Sequence, residues 1–134
     1  MLETIARLVA IRETAKDIHY SANGDSFYGI HLLMDRVADG IDTQIDSIKE
    51  ICFLGENRLP PKSEEIFKKA IEHIPSSENW KANLLMLQQL IFDTLDSIED
   101  VASKSSSLAD ENLLGGIAES LKLKLGLISR TVIK

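Results

Sequence analysis

Apolar side chains recur along this chain at spacings of three and four residues, the period of an amphipathic helix. Over 2–21 the repeat runs through Leu2, Ile5, Leu8, Val9, Ile11 and Ile18. Ser21-Ala22-Asn23-Gly24-Asp25 interrupts it, with Gly24 as the breaker and Asp25 or Ser26 able to cap the next helix. A second repeat over 26–54 uses Phe27, Ile30, Met34, Val37, Ile41, Ile45, Ile48 and Cys52, and stops at Gly55. A third over 78–104 uses Leu84, Leu87, Ile91, Leu95, Ile98 and Ala102, and the serines at 105–107 end it. A fourth over 110–132 uses Leu114, Ile117, Leu121, Leu125, Ile128 and Val132. Residues 55–77 hold Pro60-Pro61 and Pro75 and are too long for a tight antiparallel turn. Within them Ser63-Glu64-Glu65 starts a short helix over about 63–73.

Two helical hairpins joined by such a crossover predict an all-α fold, a ferritin-like four-helix bundle with a short extra helix in the crossover. Composition agrees. The 134 residues amount to a single domain, 1–134, and 44% apolar content suffices for a core. Aromatics are only 5%, and the three prolines all lie between 60 and 75, which favours helices over a sheet. The net charge of -6 and scattered Lys and Arg do not suit phosphate neutralisation. No basic arm precedes the first helix, so DNA binding through a basic tail is not expected. Cys52 is alone, so no intrachain disulfide forms, in keeping with a reducing compartment. MLETIARLVAIRETAKD carries an acid at position 3 and no long apolar run, so neither a signal peptide nor a membrane span is expected. The expected location is cytoplasmic.

The second helix has another stripe. His31, Asp35, Asp39, Asp42, Asp46 and Glu50 step by three or four residues and share about 100° of arc. A solvated face is the ordinary meaning of such a stripe. Yet His31 and Asp35 form an i, i+4 pair, as do Asp46 and Glu50, and imidazole with carboxylate suits iron, manganese or zinc. The pairs are 15 residues apart, about 22 Å along a straight helix, so they cannot share an ion within one chain. Two copies packed antiparallel about a twofold axis bring His31 and Asp35 of one chain to Asp46 and Glu50 of the other, twice per dimer. Gly40 lies at the midpoint, where two backbones would approach closely. The alternative within a bundle needs Glu-x-x-His, but Lys16, Tyr28 and Ala70 stand three residues before His19, His31 and His73. His19 ends the first helix, where a His ordinarily complements the helix dipole. The turn at 21–25 can also fold it toward His31 as a third ligand.

Residues 19–50 resemble the signature of the Dps family of miniferritins. His19, Gly24, Phe27, His31, Asp35, Asp46 and Glu50 match that pattern without gaps. The resemblance implies a ferroxidase centre with His19, His31 and Asp35 from one subunit and Asp46 and Glu50 from its twofold mate. It implies oxidation of Fe(II), with hydrogen peroxide the commoner oxidant than dioxygen. It also implies storage of ferric mineral in a hollow homo-oligomer, a dodecamer. Zinc or manganese can occupy such sites. Departures are Tyr20 where the family usually has Trp, Lys49-Glu50-Ile51 where it often has Ala-Glu-Arg, and no Trp in the last helix. DNA binding through the Lys-rich tail that some relatives carry is not expected here.

Asp110 and Glu111, at the start of the last helix, are candidates for acidic pores, though acids there ordinarily serve the helix dipole. Asp39 and Asp42 are candidates for moving cations toward the site or for interface hydrogen bonds. Cys52 reads as a buried thiol, Trp80 as a packing anchor and His73 as a dipole partner of the short helix. Two readings compete with the ferroxidase: a catalytically silent Dps-like shell, and a helical scaffold or adaptor that dimerises through the second helix.

Overall fold

The computed structural model describes residues 1–132. Its helices are α1 (Leu2–Ser21), α2 (Phe27–Ala38), α3 (Ile41–Cys52), α4 (Ser63–Ile71), α5 (Trp80–Ser103) and α6 (Leu108–Val132), with a 3-10 turn at Leu54–Glu56. The fold is an all-α, ferritin-like bundle. α1 packs on α2, α5 on α6 and α1 on α5, while α2 and α3 together fill the remaining slot against α1 and α6. The Trp80 indole N–H, at the start of α5, donates to Asn23 Oδ1 in the α1–α2 turn at 3.4 Å. The crossover therefore carries the chain back along the whole bundle, and α5 runs in the direction of α2 and α3.

The apolar stripes meet in one core. Ile5, Leu8, Ile11 and Ile18 of α1 are buried with Met34 of α2 and with Ile41 and Ile48 of α3. Leu87, Ile91 and Ile98 of α5 and Leu114, Leu121 and Ile128 of α6 complete it. Phe27, expected in the inner stripe, is 38% exposed. Local polar groups hold the ends. Asn79 Oδ1 accepts the Lys81 amide at 2.9 Å at the start of α5, and Ser107 Oγ accepts the Asp110 amide at 3.2 Å at the start of α6. α4 lies against α1. Just after it, His73 Nε2 is 2.8 Å from Glu3 Oε1, so this His ties the crossover to the first turn of α1.

The expected single helix over 26–54 is two helices. Asp39 has φ −62° and ψ 136°, and Gly40 has φ 80° and ψ −10°. These are the central residues of a type II β-turn, whose second position calls for glycine. Gly40 therefore owes its place to a positive φ. The phase of the apolar stripe survives the turn, since Val37 and Ile41 on either side are both buried. A hydrophobic pattern is blind to such a break when its two sides keep the same inward face.

Candidate metal centre

His19 and His31 come together across the α1–α2 turn. Gly24, at φ 82°, supplies the left-handed residue that the reversal needs, and the Phe27 amide closes it on the Gly24 carbonyl at 3.1 Å. The two imidazoles stack with centroids 3.6 Å apart and planes 19° from parallel. Each donates from its Nδ1 to the other's backbone carbonyl, His19 to His31 O at 2.8 Å and His31 to His19 O at 3.0 Å. A carbonyl only accepts, so both Nδ1 atoms carry the proton. In the neutral rings this leaves the Nε2 lone pairs free for a ligand. Tyr20 meets the His19 ring edge-on at 5.0 Å, and Phe27 lies 5.1 Å from the His31 ring at a tilt of 34°. Both imidazoles are half-buried, so aromatic neighbours and mutual bonds set their orientation.

Asp35, one turn beyond His31 on α2, is exposed. It lines a polar groove of about 580 Å3 together with Arg12, Lys16, Arg36, Asp39 and Asp42. Asp46 and Glu50 are exposed on α3, one turn apart. The turn at 39–40 thus separates the two pairs onto different helices. Among the described residues, no three His, Cys, Asp or Glu side chains of one chain form a cluster that could hold a metal ion. The structure brings His19 to His31 and leaves Asp46 and Glu50 apart from them.

The acidic stripe is not uniform. Asp42 is salt-bridged to Arg12 of α1. The backbone carbonyl of Asp39 accepts the ammonium of Lys124 at 2.7 Å. Lys124 is only 6% exposed. Burial lowers its pKa from the ordinary lysine value, with Asp39 opposing that shift and Arg36 adding to it. Sequence reasoning missed this cation. Its signal was a charged residue in the inward register of α6, between Leu121 and Ile128.

Asp110 sits in the first turn of α6, half-buried, beside the Cys52 thiol. Burial first, and then the neighbouring Asp110 carboxylate and its hydrogen bond from the thiol, push Cys52 up to about 12. The thiol is therefore inert at neutral pH, as the apolar register suggested. Trp80 is buried and acts as the expected anchor. No helix among the described residues is long and apolar enough to cross a membrane.

The fold is a ferritin-like bundle in which a stacked His pair stands at the turn between α1 and α2. A Dps1 mutant from Mycobacterium smegmatis has the same fold, with a TM-score of 0.81 over 98% of this chain and 91% of that one. The identity is 14%, so the likeness is one of fold. No family model matches the sequence, and no curated protein matches it either.

Proposed function

We propose that this protein oxidises Fe(II) at sites shared between two twofold-related subunits and stores the ferric product within a hollow homo-oligomer. His19, His31 and Asp35 of one subunit hold the metal with Asp46 and Glu50 of the mate. The observation that carries this reading is the reciprocal lock of His19 and His31, which commits both Nδ1 atoms and frees both Nε2 atoms. A metal binds an imidazole nitrogen in the plane of its ring. Stacked rings 3.6 Å apart can thus each take a separate ion, and two-metal sites commonly space their ions about 3.5–4 Å apart. Asp35, Asp46 and Glu50 supply negative charge for two cations, and carboxylate with imidazole suits iron.

Iron is the substrate. Two Fe(II) ions give one electron each to hydrogen peroxide, whose O–O bond breaks, and with two protons the products are two Fe(III) and two waters. Delivering both electrons at one place avoids the hydroxyl radical that a single electron would release. The protein's part is to hold two ions at once, fix the imidazoles and leave positions open for the oxidant. Dioxygen is the alternative oxidant, and zinc or manganese are alternative occupants. The assembly is a dodecamer in the cytoplasm.

The test is anaerobic addition of Fe(II) and then hydrogen peroxide, beside an Asp46→Ala, Glu50→Ala variant. The unmodified protein is expected to oxidise iron well above the buffer rate. The variant should be slower by about a hundredfold or more, since losing even an outer partner of a metal ligand costs about 10–100-fold. An unmodified protein no faster than buffer would leave a silent shell or a helical scaffold as the reading.

A further inference from the structure

The second slot of the bundle is broken where α6 places a buried cation. In a continuous helix the Asp39 carbonyl would accept the amide of Thr43, four residues on. Here it accepts Lys124 Nζ at 2.7 Å instead. Lys124 occupies the inward register of α6, with Leu114, Ile117, Leu121 and Ile128 buried on the same face. A leucine would fill that position in an uninterrupted bundle. Taking an ammonium out of water costs several kcal/mol, so a lysine there needs a receiver. The carboxyl end of α2 provides one, because its carbonyls are unspent and its dipole favours a cation. The exposed Gly40 completes the turn with open space on its side-chain face, as nothing beyond its chain neighbours lies within 4 Å of where a Cβ would stand.

This joint lies between the two halves of the proposed centre. Each site in a twofold dimer takes its α2 half from one chain and its α3 half from the other. The offset between Asp35 and Asp46 within one chain must therefore equal the distance between the two sites. A helical residue advances about 1.5 Å and an extended one about 3.3 Å. Opening or closing one turn residue thus changes the offset by more than metal ligation tolerates, which is about 0.2 Å in ligand distance.

We propose that Lys124 is a positioning residue for the shared centre: by holding the Asp39 carbonyl it keeps α2 and α3 as two pieces, and so sets the offset between His31/Asp35 and Asp46/Glu50. This rests on the shared-site reading above. Lys124 touches no ligand and acts only through the backbone of the turn.

The experiment titrates the metal-free oligomer with zinc by calorimetry, for four proteins: unmodified, Asp46→Ala, Lys124→Met and Lys124→Arg. Unmodified protein should bind zinc more tightly than Asp46→Ala; if these two bind alike, the shared-site reading itself fails. Lys124→Met should bind at least about tenfold more weakly than unmodified protein, at unchanged oligomer size and with helical circular dichroism and apo thermal midpoint not lowered. Without the latch the Asp39 carbonyl can return to the Thr43 amide, so affinity falls while stability does not. A purely structural lysine would lower both. Lys124→Arg, which keeps a donor, should restore most of the affinity. Gly40→Ala, which leaves Lys124 and the core intact but disfavours the positive φ, should show the same weakened binding. Should Lys124→Met not fold, Gly40→Ala decides alone. Unmodified affinity in a folded Lys124→Met or in Gly40→Ala overturns the inference.

Discussion

The two halves of the proposed centre are built differently. The His half is assembled by its own chain. His19 and His31 are half-buried, stacked and bound to each other's backbone, and the turn at Gly24 keeps them so. The carboxylate half is two exposed side chains on α3, free to sample rotamers. Ordering a long side chain costs entropy, about 1 kcal/mol or more for Glu. The difference teaches where organisation precedes the partner and where it waits. The imidazoles set the geometry in advance, and the carboxylates bring charge that becomes fixed when the mate and the cations arrive.

The most decisive way to break this comparison is to put its halves on different chains. His31→Ala and Glu50→Ala are each expected to abolish iron oxidation. Refolded together, half of the dimers should be mixed, and each mixed dimer keeps one intact site of two. Random pairing should thus restore about a quarter of the unmodified rate. No recovery in co-assembled protein would show that both halves act within one chain.

A smaller effect separates the halves by stability. Removing the His31 ring deletes one bond and leaves the His19 imidazole without its stacking partner. His31→Ala should therefore cost the metal-free protein about 1–2 kcal/mol, read as a lower urea midpoint at unchanged slope. Glu50→Ala removes an exposed carboxylate and should stay within about 0.5 kcal/mol. Equal losses would mean that the carboxylate half is organised too.

The smallest effect concerns the far end of the slot, where Cys52 meets Asp110. The folded thiol keeps its proton up to about 12, raised from 9.0 chiefly by burial. Between those values the folded chain holds a proton that the unfolded chain has released. Its contribution to stability is therefore complete below pH 9 and declines as pH rises toward 12. Native protein at pH 8 should resist a thiol reagent that labels it fully in denaturant. Cys52→Ser should flatten the alkaline loss of stability between pH 9 and 12. Rapid labelling of the native protein at pH 8 would contradict the buried thiol.

Much of the architecture was legible along the chain. α5 and α6 lie within two residues of the expected 78–104 and 110–132, because long apolar stripes bounded by Ser107 and Asn79 leave little freedom. The short helix ends at Ile71 and not at 73, and its His73 bonds to Glu3 of another helix, a partner that spacing along the crossover cannot name. The i, i+4 pairs 31/35 and 46/50 followed from helical periodicity alone, and the approach of His19 to His31 followed from the short turn between them. The break at Asp39-Gly40 did not show, because burial on both sides of it keeps one phase. Gly40 itself was visible, and its midpoint position suggests a close approach between two backbones, while the structure shows a positive φ there.

Periodicity and turn chemistry are local, and they determined the helices, the bundle and the candidate ligand residues. Three things needed the folded chain. The stacking of His19 on His31 depends on the angle at which α1 meets α2. The inertness of Cys52 depends first on burial among the packed helices and then on Asp110 arriving from α6. The division of the second slot depends on Lys124 reaching across from a residue 85 positions away to the Asp39 carbonyl. Each is a contact between groups far apart in sequence or set by the packing of helices, and a one-dimensional pattern carries no distance across the core.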